Sequence, residues 1–356
     1  MYKQHAMSLQ KLKRRQCIRG LGASAAVATI TGLAGCAGGG DDGETDGLTT
    51  VDKLQTEGSL TVPVDLAGIE QGTYEEQGIN LEHQSVGYGR YAGAITGGDS
   101  LLNPLNFAIY MNAHRDDSDI IFVNGESKLI NGIFTPEDSD IETPADFEGK
   151  TIGIPPRDSG TSMLLTSMIQ TEYGYELDEI AGEVIETGPT QLWNLMNQDE
   201  GIDAMMQFGS FTVQGRAEGS GLREIFDPDE WWQDRTGFSA QISFYGTTRE
   251  WLDENADTAL SVLRGWDSAR EYTLDNTEAV IDEYGSAAGF NEPEEKDVVI
   301  EEMQDRAILP VEDWDEDYAQ NQLEMLDLLV ENGFYESRPT FDEGVVTFSE
   351  LQDLAE

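Results

Sequence analysis

The chain has 356 residues, of which 38% are apolar and 9% aromatic. That is long enough for two lobes with real cores and too apolar for a disordered polypeptide. With 69 acids and 21 bases its formal charge is −48, a field that repels polyanions and excludes nucleic acid as a partner.

The charge is unevenly placed. The first 36 residues contain six bases and no acid, so the remainder carries 15 bases against 69 acids. Only four lysines follow residue 36: Lys53, Lys128, Lys150 and Lys296. This is the surface expected of a protein that works in concentrated salt, where the screening length falls to about 3 Å at 1 M. Acidic runs such as Glu294-Glu295-Lys296-Asp297 are read as solvated surface and not as metal sites.

Residues 1–36 read as an export signal. A basic block around Arg14 and Arg15 precedes a small-residue apolar stretch too short to span a bilayer. The arginine pair resembles the twin-arginine signal. Leu33-Ala34-Gly35-Cys36 resembles a lipobox, which makes Cys36 the expected lipidation site and new N-terminus. The segment 37–57 begins AGGGDDGETDG and is expected to be a flexible acidic linker. The two cysteines, Cys17 and Cys36, both lie in the signal, so no disulfide or cysteine chemistry is expected in the mature chain.

Beyond the linker, short strands alternate with helices. Strands are expected at 59–64, 79–83, 120–123, 151–155, 182–185 and 204–206. A Gly-containing loop is expected at 65–68, and Gly78 caps a helical turn. A Gly-rich turn at 87–90 leads into a helix at 91–95. The polar turn 158–162 leads into a helix carrying Met163, Leu164, Leu165, Met168 and Ile169. A helix is expected at 190–196, and Trp231 and Trp232 fall in an acidic loop. From Thr248 onward the chain is mostly helical, with Leu260, Leu263 and Trp266 at helical spacing. The pattern predicts an α/β protein with mainly parallel sheets.

Several strings resemble segments of the substrate-binding proteins of ABC importers: residues 72–81, 143–154, 201–204, 238–248 and 322–333. The subgroup they resemble binds sulfonates, nitrate, taurine or thiamine-pyrimidine precursors. Two segments depart from that pattern, 98–106 and 208–211. The resemblance implies a two-lobed periplasmic-binding-protein fold of the second type. Its first lobe would be 58–133 with 243–340, its second 134–242, and its C-terminal tail 341–356. Crossings between lobes are expected near 129–135 and 238–245, with ligand captured between the lobes by hinge closure.

Candidate ligand contacts follow from loop position and donor chemistry. The turn holding Arg157, Ser159, Gly160, Thr161 and Ser162 offers hydroxyls and a helix N-terminus, which suit an anion or carbonyl oxygen. Ser159 or Thr161 capping the helix is the plainer reading, and both can hold. Tyr88, Gly89 and Arg90 form a second such turn, and an arginine fork suits sulfonate, phosphate or carboxylate. Asp65, Leu66, Asn103 and Asn106 are candidates by loop position, and Phe208 by its capacity to stack. The expected partners are a small-molecule ligand, a permease with its ATPase, and the membrane through Cys36. A monomer without cofactor, metal or catalytic residue is expected. The alternatives are an enzyme on the same fold, of the type that makes a thiamine precursor with a lysine-bound pyridoxal cofactor, or an exported sensor subunit.

Overall fold

The computed structural model describes residues 47–356 except 57, 97–101, 198–200, 307 and 311–312, all within one compact unit. The signal with Arg14, Arg15 and Cys36, and the start of the linker, lie outside the described residues. The elements run β1 (Thr49–Thr56), α1 (Val62–Gln71), β2 (Ile79–Val86), α2 (Tyr88–Thr96), β3 (Asn103–Asn106), α3 (Phe107–Arg115), β4 (Ile120–Lys128) and β5 (Asn131–Pro136). They continue with β6 (Thr151–Ile154), α4 (Gly160–Tyr173), α5 (Leu177–Ile180), β7 (Glu183–Glu186), α6 (Pro189–Met196), β8 (Ala204–Phe208), α7 (Ser210–Arg216), β9 (Leu222–Phe226), α8 (Pro228–Thr236) and β10 (Gln241–Thr248). The last part is helical: α9 (Arg249–Asp275), α10 (Thr277–Tyr284), α11 (Pro293–Glu301), α12 (Glu316–Glu331), α13 (Phe341–Gly344) and α14 (Phe348–Leu354).

Four corrections concern the first hundred residues. The segment 49–56, read as linker, is a strand paired in parallel with β2. Its alternation of Thr, Val and Leu with polar residues fits a half-covered strand, but Lys53, Leu54 and Gln55 are all buried. The segment 59–64, read as a strand, turns into α1, because Pro63 sits in the first turn where its missing N–H is harmless. The expected loop at 65–68 therefore lies inside a helix. Helix α2 also begins at Tyr88, before the expected 91.

Two larger sheets and a two-stranded one, β1–β2, organise the chain. In the first, β10 lies between β3 and β4 and is antiparallel to both. The parallel pair β1–β2 joins its edge, where the Leu54 N–H donates to Asn103 Oδ1 at 2.6 Å. The second sheet has the order β7-β6-β8-β5-β9, with β7, β6 and β8 parallel and β5 antiparallel to both its neighbours. The sheets are thus mixed, not mainly parallel as expected. Strands β5 and β10 cause the departure, since each enters one sheet from the other. They arrive at the edge where the parallel strands end and must run the opposite way. Apolar alternation carries no sign of strand direction.

The two crossing segments run side by side. Leu129, between β4 and β5, donates its N–H to the carbonyl of Ala240 at 3.0 Å, just before β10. Helix α12 lies along α4, and its Asn321 accepts from the Trp232 indole at 3.0 Å. Trp231 and Trp232 are buried on α8, not in a loop, because Asp227 caps that helix and Pro228 starts it. Residues 341–356 are not a loose tail. The Val346 N–H donates to Phe122 O on the edge of β4, and α14 packs on α9.

Candidate functional site

The site is built where helix starts from the two sheets approach each other. Strand β3 ends at Asn106, whose side chain accepts from the Ile109 N–H at 3.0 Å and caps α3. Strand β6 ends at Ile154, and Ser159 caps α4 by accepting from the Ser162 N–H. A Cβ placed on Gly160 would lie 3.6 Å from the Asn106 side chain and 3.8 Å from the Ala108 backbone nitrogen. The starts of α3 and α4 therefore face each other closely. First-turn N–H groups have no partner within the helix, and the two dipoles put positive potential on the same spot. Thr161 and Ser162 are buried behind it, and the Ser162 hydroxyl is spent on the Pro155 carbonyl at 2.8 Å. Ser159 is thus the cap of α4.

A second approach lies at the ends of β1 and β8. A Cβ on Gly58 would lie 3.0 Å from Ser210 Oγ, and one on Gly209 would lie 3.6 Å from the Gly58 carbonyl. Gly209 has φ +52 and ψ −128, where a side chain is strained, and its N–H donates to the Ile130 carbonyl at 2.7 Å. Phe208 is half-buried and packs edge-on against Phe211, with ring centroids 6.0 Å apart.

The other sequence candidates lie elsewhere. Arg157 is exposed and makes a two-pronged pair with Asp178 at 2.7 and 2.8 Å, with Glu186 3.6 Å away. Its guanidinium is already matched by carboxylates. Arg90 is exposed on the first turn of α2, which Tyr88 and Gly89 open. Asn103 is buried and bridges β1 to β3. Leu66 is half-buried on α1 and packs on the core of the first sheet.

Asp65 belongs to a buried ionic cluster. Its carboxylate pairs with Lys53 at 2.8 Å and accepts from the Tyr74 hydroxyl at 2.8 Å. Lys53 also bonds the Tyr245 hydroxyl and lies 4.4 Å from the centre of the Trp266 ring. Glu126 is buried beside them, accepting from Gln55 at 2.9 Å and from Thr61. Burial pushes its carboxyl up, and Lys53 opposes that rise. His83 bonds Gln55 at 2.8 Å, and burial holds its ring below the usual histidine value. Sequence reasoning missed this cluster. Its one visible sign was a lysine in an alternating strand of a chain that almost lacks lysine. The other three lysines also have partners: Lys128 with Ser239, Lys150 with Asp140 and Lys296 with Asp282.

Two cavities lie away from the α3–α4 approach. One of about 580 Å³ is bounded by Trp266, Arg270, Trp314 and the start of α14. One of about 790 Å³ lies at the opposite end of β6, beside Asp140, Thr151 and Asp203.

The architecture is that of the periplasmic binding proteins. The chain superimposes with a TM-score of 0.67 on the periplasmic aliphatic sulphonate binding protein SsuA from Escherichia coli, at 17% identity over 84% of this chain and 92% of that one. The alkanesulfonate-binding protein SsuA from Xanthomonas axonopodis pv. citri, bound to MOPS, gives 0.65 at 14% identity over 83% and 98%. The desulfurization enzyme DSZB gives 0.59 at 12% identity over 86% and 98%. At such identities the likeness is one of fold. In sequence, a family model described as NMT1/THI5 like matches residues 119–280. No curated protein matches the chain.

Proposed function

We propose that this chain is the solute-binding component of an ABC importer and captures a small sulfonate-like anion between two lobes. The observation that carries the reading is the approach of the α3 and α4 starts at Asn106, Ala108 and Gly160. Two sheets supply one helix start each, so an anion there would bridge them and favour closure. The fold shared with sulfonate-binding proteins supports the same reading.

In this reading one lobe holds the sheet of β3, β10 and β4 with the β1–β2 pair, and the other holds β5 to β9. The tether then ends before Thr49, and Cys36 carries the lipid that anchors the exported protein. No helix among the described residues is long and apolar enough to cross a membrane. The permease and its ATPase are the partners.

A thermal-shift panel in molar salt tests the proposal, with alkanesulfonates, nitrate, bicarbonate, carboxylates and pyrimidines as probes. A ligand at 1,000 times its Kd stabilises by about 4 kcal/mol, a rise of several degrees. The expected result is a rise with a sulfonate that Gly160→Val abolishes, because the branched side chain would fill the approach. A folded chain that responds to no anion rejects the reading. Mass spectrometry of the membrane-bound protein tests lipidation, which Cys36→Ser should remove.

A further inference from the structure

Helix α7 is joined to the second sheet, yet it reaches the helices that cover the first. It follows β8 directly, and its Gly215 lies against the Phe134 ring of β5. Val213, two residues earlier and so on the opposite face of the helix, is buried in one apolar cluster with Val299 of α11 and Met303 just after it. Helix α11 packs on α10, α10 on α1, and α1 on β2. The start of α7 meets that region as well, since Ser210 is buried between Gly58 and Gly289.

At the end of α7, Arg216 links the two regions. Its Nε and Nη2 grip the Glu224 carboxylate of β9 at 2.8 and 2.7 Å, and Nη2 also reaches Asp227, the cap of α8, at 3.1 Å. Gly132 of β5 leaves room for this grip, because a Cβ there would collide with Glu224 Oε1. The remaining nitrogen, Nη1, donates to Glu302, directly after α11, at 2.9 Å.

We propose that Arg216 is the ionic tie between the two lobes: held by Glu224 and Asp227 in one, it draws Glu302 of the other against it and keeps the start of α7 beside Gly58. The inference rests on the two-lobe reading above.

The reason is the sign of the charges at the boundary. One guanidinium stands among three carboxylates, two from one lobe and one from the other. With it in place the lobes attract at this point. With a neutral side chain there, Glu302 would face Glu224 and Asp227, and like charges repel. The two-pronged grip of Glu224 fixes the fork beforehand, so little side-chain freedom remains to be lost when Glu302 arrives. The Arg216 and Glu302 side chains are only 10% and 7% exposed, against 28% and 84% for the Lys150–Asp140 pair. Salt therefore screens the tie far less than a surface pair, and it persists in concentrated salt where surface pairs fade. Helix α7 is only two turns long, about 10 Å, so fixing its end also fixes Gly209 and Ser210 at its start.

Reporter cysteines in the full chain test this, with thiol labelling in molar salt read at each peptide by mass spectrometry. Ser210→Cys lies between the lobes, and Ala204→Cys lies inside the second sheet, where only unfolding exposes it. Parting of the lobes should make position 210 label faster than position 204. Glu302→Gln should speed labelling at 210 about tenfold, the difference between a charge-assisted and a neutral hydrogen bond, and leave 204 nearly unchanged. Arg216→Gln should speed it further. In that background Glu302→Gln should slow labelling, because it now removes a repulsion. This reversal of sign is the outcome that a merely structural role for Arg216 would not produce. Labelling at 210 that Glu302→Gln leaves unmoved, an equal rise at both cysteines, or a further rise when Glu302→Gln is added to Arg216→Gln overturns the proposal. Glu302→Gln keeps every Arg216 partner within its own lobe, so the test stands even if Arg216→Gln does not fold. Equal wild-type rates at 210 and 204 would overturn the two-lobe reading together with the tie, whereas unequal rates that Glu302→Gln does not move overturn the tie alone. No solute is needed, so a failed solute panel is a separate result.

Discussion

The two sheets are stabilised by different chemistry. Around β1, β4 and β10 the interior holds Lys53, Asp65, Glu126, Tyr74 and Tyr245, all essentially without solvent exposure. Around β6 and β8 the interior is Met163, Leu164, Leu165, Met168, Ile152 and Met206, with no charged pair among them. Burying a lysine and two carboxylates is costly unless they satisfy one another, so the first region depends on geometry. The second depends on apolar volume. The helix starts that face each other at Asn106 and Gly160 come one from each region. A site can therefore be assembled from halves whose stabilities answer to different perturbations.

The largest effect is expected from breaking the ionic half. Asp65→Ala should cost about 3–5 kcal/mol, because Lys53 is left buried with its main counter-charge gone. Thermal melts in molar salt measure it. Lys53→Met combined with Asp65→Leu should recover much of the loss, and a double variant no better than the single would show that the pair is not the source.

In the apolar half, Leu165→Ala should cost about 3 kcal/mol through lost burial and a residual cavity. Its cost should be nearly independent of pH from 5 to 8, since no titratable group is removed, which denaturant titrations can check.

Asp229 sharpens the comparison where α8 meets the start of β10, accepting the Ala240 N–H at 2.7 Å. Its carboxyl is raised from 3.8 to about 6, so its favourable contribution is full below about 3.8 and is lost as pH rises through 6. Relative to wild type, Asp229→Asn should gain on the order of 2 kcal/mol across that window, allowing for partial exposure. Unfolding curves at pH 4.5 and 7.5 measure the difference, and parallel pH dependences would count against it.

The smallest stability effect is expected from Gly209→Ala, about 1 kcal/mol from strain at positive φ. Thermal melts in molar salt measure it.

Much of the site's local chemistry was legible. Ser159 before an apolar periodic run predicted the start of α4, and Asn106 was singled out by its place in the chain. Capping is a local interaction, written within three or four residues. Direction and pairing were not legible. That β5 and β10 run against their neighbours depends on where each strand comes from, not on its own residues. Burial of Asp65 was also hidden, because a carboxylate in an acidic chain is nearly always at the surface. The same holds for Arg157: its scarcity as a base drew attention, yet Asp178 and Glu186 meet it from other elements.

The sequence alone determined the acidic surface, the alternation of strands and helices, and the helix starts. Those properties depend on composition and on neighbours a few residues apart. Tertiary structure decided that Gly160 meets Asn106, that Lys53 meets Asp65, and that Asp229 holds Ala240. Each joins elements distant along the chain or packed in a way no local pattern encodes, and only packing of the two sheets brings their atoms within hydrogen-bond or contact range.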